Sequence, residues 1–145
     1  MYTKINEKDI IMKLGAIYSK EKTTFTLFSP VADSVFVIFY DKGNDSAETG
    51  RLEMMRTEGE LCGIFSATAE GDLDGVYYTY EVHTSDGIFC SQDPYARACG
   101  VNGHRSMVID LSKTDPDGFA DEDRPKLADP MSMVITEVSI ADVSA

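Results

Sequence analysis

Short runs in which apolar and polar residues alternate with a period of two dominate this chain of 145 residues. Such alternation is typical of β-strands, because successive side chains of a strand point to opposite faces of a sheet. Clusters of Gly, Asp, Asn, Ser and Pro separate the runs and indicate turns. The candidate strands are residues 23–28, 35–40, 51–56, 63–69, 76–84, 87–90 and 106–111. Both alternating faces of residues 35–40 are apolar, which predicts a central strand.

Helical periodicity is nearly absent between residues 12 and 111. Seven or eight short strands at this spacing predict an all-β fold, an immunoglobulin-like antiparallel β-sandwich. The 43% content of hydrophobic residues is sufficient for a packed core. The chain has no Trp, so the Cys…Trp…Cys pattern of true antibody domains is missing.

Changes in composition divide the chain into four segments. We predict an N-terminal arm (residues 1–13), the sandwich (14–112), an acidic linker that contains proline (113–130) and an apolar segment (131–145). Residues 133–140 read as an orphan C-terminal strand, which is either the start of a truncated further domain or an altered tail. An unpaired strand edge invites pairing, so we expect either self-association through residues 131–145 or disorder of that segment.

The charge balance narrows the choice of partners. Lys and Arg number 13 against 25 Asp and Glu, for a net charge of −12. Nucleic acids and anionic membrane surfaces are excluded as partners, because both are bound through basic residues. A neutral ligand such as a sugar, or a protein surface, stays open. The three cysteines are widely spaced and the N-terminus lacks the apolar run of a signal peptide, which predicts a cytoplasmic protein.

The residue types that carry catalysis or bind metals do not form a recognisable constellation. Asp72, Asp74 and residues 121–123 are the densest acidic groups, but they lie among turn residues and read as solvated loops. His83 and His104 lack the spacing of a zinc site or a catalytic triad. We therefore predict no catalytic residue, no metal site and no cofactor.

Aromatic residues are concentrated on two neighbouring candidate strands. Tyr77, Tyr78 and Tyr80 share one strand, and Phe89 lies on the next. Tyr78 and Tyr80 point to the same face, and they either fill the core or present rings on which the C–H face of a sugar stacks. The candidate carbohydrate-binding residues are Tyr78, Tyr80 and Phe89.

An ordered set of segments resembles a known family. The chain is similar, from residue 14 to about residue 135, to type I pullulanases of glycoside hydrolase family 13. The matching region is the sandwich that precedes their catalytic barrel, an E-set domain of carbohydrate-binding module family 48. Residues 124–127 and 133–138 resemble the linker and the first barrel strand. The segments of the sandwich that carry the resemblance are residues 14–19, 23–25, 28–30, 71–82, 93–97, 100–103 and 105–110.

The resemblance implies a non-catalytic accessory module of an α-1,6-glucan debranching enzyme. Its partners would be the catalytic barrel of the parent enzyme and α-glucan oligosaccharides; the alternative is an autonomous module that binds starch, glycogen or pullulan. A barrel needs about 250 residues, so no catalytic residue of the family is carried over and the chain itself is not expected to be an enzyme.

One of the departures of the chain from the family lies at a surface site. Glycogen-binding members of the module family use two Trp, a Lys and an Asn there. The corresponding strands of this chain offer Tyr80, Phe89 or Cys90, and Met107.

Overall fold

The computed structural model describes residues 14–57, 63–123 and 126–143. The chain divides into two units, one that ends at Lys113 and one that begins at Thr114. Within the described ranges, no helix is long and apolar enough to cross a membrane. Cys62 and the predicted N-terminal arm lie outside the described residues.

Nine strands form the first unit in the part of it that is described. All seven candidate strands are confirmed, although the last is shorter than expected. The short strands β1 and β8 have no counterpart among the candidates. The strands are β1 (Gly15–Tyr18), β2 (Lys22–Phe28), β3 (Ser34–Tyr40), β4 (Glu48–Arg56), β5 (Ile64–Glu70), β6 (Tyr77–Thr84), β7 (Gly87–Ser91), β8 (Ala98–Cys99) and β9 (Ser106–Met107).

The strands pair in antiparallel fashion, as the fold prediction requires. One sheet has the order β1-β2-β5, and the other runs β4-β3-β6-β9-β8 with β7 also paired to β6. The end of β4 crosses between them, because Met55 and Arg56 pair with Ser66 and Phe65 of β5. β3 is central in its sheet, between β4 and β6, as its two apolar faces predicted.

The core lies between the two sheets. Phe25 of β2 and Tyr78 of β6 meet edge to face, with ring centroids 5.0 Å apart. Val35 and Val37 of β3 are buried beside them. Burial of each such side chain contributes about 1.5–3 kcal/mol, so this cluster supplies much of the folding free energy. The prediction of an immunoglobulin-like sandwich is therefore confirmed.

The second unit corrects the prediction of a strand over residues 133–140. Residues 133–139 have no regular secondary structure, and Ile140–Val143 form a short helix, α1. A strand is stable only when a neighbour pairs with its backbone groups. The described part of this unit contains no strand with which residues 133–140 could pair. Its remaining elements are single 3-10 turns at Phe119–Asp121 and Pro130–Ser132.

Candidate functional site

The three aromatic residues predicted to bind sugar lie in different environments. Tyr78 and Tyr80 are 0% and 1% exposed, and they belong to the core between the sheets. Their rings offer no surface to a ligand, so the prediction of stacking fails for these two residues. Phe89 is 53% exposed. Of the predicted trio, Phe89 alone is accessible.

The hydroxyl groups of the two buried tyrosines converge on one carboxylate. Tyr78 and Tyr80 donate hydrogen bonds of 2.7 and 3.2 Å to Oδ2 of Asp93, which is itself buried. The backbone N–H of Tyr95 donates to the other oxygen, Oδ1, at 2.8 Å, and the backbone N–H of Asp93 donates to Ser106 Oγ at 2.8 Å. Burial and the adjacent Asp93 raise the pKa of both tyrosines, so both stay protonated donors. Asp93 therefore connects β6 to the turn at residues 93–97, and we call this set of hydrogen bonds the Asp93 hub.

Phe89 lies on β7, which flanks β6 at the edge of its sheet. Phe89 pairs with Val82 and therefore points to the side of the sheet that faces the core, whereas Ile88 pairs with His83 on the opposite side. All five residues of β7 are exposed, and the strand carries no charge. An exposed aromatic ring on a neutral strand is suited to packing on the C–H face of a neutral sugar.

The outer face of the larger sheet carries a charged network that the sequence did not indicate. Glu81 Oε1 accepts one hydrogen bond from Arg51 at 3.2 Å and lies 2.8 Å from His83 Nε2. The His83 contact, and after it Arg51, lowers the pKa of Glu81. The Arg51 guanidinium lies over the Phe36 ring, 5.6 Å from its centroid, and the His83 ring packs beside the same phenyl group. Arg51 and His83 therefore both pack against the Phe36 ring.

The acidic turn at residues 71–75 was predicted to be a solvated loop, but its two carboxylates accept hydrogen bonds from other segments. Tyr18 of β1 donates to Asp72 Oδ1 at 2.8 Å, and this hydrogen bond raises the pKa of Tyr18 to about 12. Asp74 accepts from the Lys113 ammonium and from the Asp110 backbone N–H, both at 2.8 Å. These two contacts, with Lys113 the larger, lower the pKa of Asp74. The turn thus connects β1 on one side to residues 110–113 on the other.

A groove lies between these two connected segments. It has a volume of about 210 Å³ and is lined by residues 16–18 of β1, Arg97 and residues 107–112; we call it the β1 groove. Arg97 also lines an adjacent cavity of about 250 Å³. Among the described residues, no group of three or more His, Cys, Asp or Glu side chains is placed to hold a metal ion.

Comparison with known families identifies the sandwich. The family described as "Carbohydrate-binding module 48 (Isoamylase N-terminal domain)" matches residues 13–96. The pullulanase of Bacillus subtilis (strain 168) is 29% identical over 133 residues, which are 91% of this chain and 17% of that protein. Pullulanase A of Streptococcus pneumoniae serotype 4 (strain ATCC BAA-334 / TIGR4) is 29% identical over 119 residues, 75% of this chain and 9% of its own length.

Solved structures agree with the sequence matches. A crystal structure of the pullulanase from Paenibacillus barengoltzii, in complex with maltohexaose and alpha-cyclodextrin, superposes with a TM-score of 0.77 and 36% identity over 87% of this chain and 19% of that one. The pullulanase from Bacillus acidopullulyticus gives a TM-score of 0.74 and 34% identity over 81% of this chain and 14% of its own. The chain therefore spans less than a fifth of the length of these relatives, and the part it matches is a non-catalytic module.

Proposed function

Because this chain belongs to carbohydrate-binding module family 48, we propose that it is the accessory module of a longer pullulanase-type enzyme that hydrolyses α-1,6 linkages of α-glucans. In this proposal the sandwich packs on the catalytic barrel of that enzyme and contributes to binding of the glucan. The observation that carries it is the family match over residues 13–96, together with the likeness to pullulanases along most of the chain.

A neutral glucan suits the electrostatics of this chain. The net charge of −12 repels polyanions, whereas an uncharged sugar polymer experiences no such penalty. Phe89 on the neutral strand β7 is the exposed ring of the candidate trio, and it supports direct contact with the polymer. This exposed ring also favours the second candidate function, an autonomous module that binds glucan without a barrel.

We expect Phe89→Ala to weaken retention of the 145-residue chain in native gels that contain glycogen or pullulan by about fivefold, because it removes the ring that stacks on the sugar. Ile88→Ala is the matched control. It truncates a residue of the same strand that is 63% exposed but points to the other side of the sheet, so its retention should equal that of the wild type.

Retention of the wild-type chain by itself would support the autonomous module. If neither polymer retards the chain, direct glucan binding is overturned and packing on the barrel is left as the proposed role. Equal weakening by both substitutions would contradict a specific role for Phe89.

The apolar side chains of the second unit support a protein partner for that segment. Val134 is 92% exposed, and Ile135 beside it is 82% exposed. We propose that the barrel of the longer enzyme covers this segment, and that in its absence two copies of the chain associate through it. The exposed large hydrophobic residues of the segment are Met131, Met133, Val134, Ile135, Val138, Ile140 and Val143.

Sedimentation velocity tests this association. We expect the 145-residue chain to show a concentration-dependent dimer, and a variant that ends at residue 130 to be monomeric, because the deletion removes the exposed apolar surface. Val134→Asp combined with Ile135→Asp should have the same effect as the deletion, since it places charges on that surface. A wild-type chain that stays monomeric at all concentrations would contradict the proposal.

A further inference from the structure

We propose that the β1 groove binds one terminal glucosyl unit of an α-glucan chain. The inference rests on the proposed function and deepens it, because it assigns a site for the chain end that is separate from stacking on Phe89. It is carried by three properties of the groove: braced walls, balanced charge and a size that fits one sugar ring.

The walls of the β1 groove are held in place from outside it. The acidic turn binds the β1 wall through the Tyr18–Asp72 hydrogen bond and the opposite wall through the contacts of Asp74 with the Asp110 backbone and Lys113. A groove braced on both sides loses little conformational entropy when a ligand enters, which favours binding of a small ligand.

Arg97 is presented to the groove by the Asp93 hub. The turn that precedes Arg97 is closed by the hydrogen bond from the Tyr95 N–H to Asp93 Oδ1 and by one of 3.1 Å from the Ala96 N–H to the Asp93 carbonyl. Within the part of the chain that the structure describes, the exposed Arg97 guanidinium has no hydrogen bond or ion pair. Its five N–H donors are therefore available to a ligand.

The polar groups of the groove match a polyhydroxyl ligand. Asp110 lines the groove and accepts two hydrogen bonds at Oδ1 from Ser112, one from the backbone N–H and one from the hydroxyl. The other oxygen, Oδ2, lies 3.5 Å from the Lys113 ammonium. Because a carboxylate has about four acceptor sites, Asp110 can still accept a hydrogen bond from a ligand hydroxyl. The charges of Arg97 and Asp110 balance in the lining, and the adjacent Asp72, Asp74 and Lys113 add a net negative charge, which disfavours phosphates and carboxylates and favours a neutral sugar.

The volume limits the ligand to one ring. At about 210 Å³ the groove is smaller than the cavities of about 300–1,000 Å³ that enclose drug-sized molecules. A linear glucan fits only if its terminal glucosyl unit enters the groove and the rest of the glucan extends outward into solvent. A cyclic glucan has no chain end and is therefore excluded.

Titration calorimetry with maltotriose and with α-cyclodextrin tests the proposal on the 145-residue chain. We expect Arg97→Ala to weaken maltotriose binding about tenfold, because it removes hydrogen bonds between a charged group and the sugar. Arg51→Ala, which removes an exposed arginine of the outer face, should leave maltotriose binding unchanged. In the wild-type chain, maltotriose but not α-cyclodextrin should shift the backbone amide resonances of residues 109–112, a readout that requires no variant to fold.

The outcomes separate this proposal from the proposed function. Equal affinity of Arg97→Ala and wild type for maltotriose, or no shift at residues 109–112, overturns the subsite. Retention by glycogen without binding of maltotriose also overturns the subsite and leaves the proposed function intact. Failure to bind polymer and oligosaccharide alike overturns both.

Discussion

Asp93→Ala should lower the free energy of unfolding by about 3–5 kcal/mol, because it leaves two buried hydroxyl donors and one partly buried N–H donor without their acceptor. The Tyr78 and Tyr80 hydroxyls and the Tyr95 N–H all point at the Asp93 carboxylate. Asp93→Asn keeps one oxygen but replaces the other with a donor, so its loss should be intermediate. Urea unfolding followed by circular dichroism measures both.

The control for this substitution is Asp86→Ala. Asp86 is an exposed carboxylate in the β6–β7 turn, and its loss should change stability by no more than about 0.5 kcal/mol. A stability of Asp93→Ala within about 1 kcal/mol of wild type would show that the hub is not needed for folding. It would also remove the basis for the positioning of Arg97.

Gly100→Ala should destabilise the sandwich by about 3 kcal/mol, because it overpacks a contact between two backbones. A Cβ atom at Gly100 would lie 2.5 Å from the Gly43 Cα and 3.0 Å from the Tyr77 ring. Arg105 holds the same loops together, since its guanidinium stacks 3.5 Å from the Tyr40 ring centroid and donates to the Lys42 carbonyl at 2.7 Å. The loops therefore have little room to move apart.

Gly50→Ala provides the matched control for glycine replacement. On β4 the new Cβ would make only an ordinary contact of 3.9 Å with Phe39. Because alanine restricts the unfolded chain more than glycine does, we expect a gain of about 0.5 kcal/mol. In thermal unfolding, Gly100→Ala should have a lower melting temperature than the wild type, and Gly50→Ala a higher one. An unchanged melting temperature for Gly100→Ala would contradict the close approach.

The strands were predictable wherever alternation extended over enough residues to be recognised. β3 is the clearest case, because apolar residues on both of its faces indicated a central position and the structure places it between β4 and β6. β1 and β8 escaped prediction because four and two residues carry no measurable period. Residues 133–140 had the right composition for a strand but lack a partner in the described chain, and pairing is a tertiary property.

The candidate site was predictable only in part. The alternation showed that Tyr78 and Tyr80 share a face, but it contained no information on which face the second sheet covers. That depends on β2, since Phe25 packs against Tyr78 across the core. Arg97, Tyr18 and Asp110 were not singled out as site residues, because they line one groove only after β1, the 93–97 turn and residues 107–112 have been brought together.

The sequence by itself determined that this chain is an antiparallel sandwich of carbohydrate-binding module family 48, because period-two alternation, turn chemistry and an ordered set of motifs are local properties. Tertiary structure alone decided which aromatic rings are buried, which carboxylates brace the fold and where a ligand finds open space. Those outcomes depend on contacts between residues far apart in the chain, such as Tyr18 with Asp72 and Asp74 with Lys113. No local pattern encodes such distances.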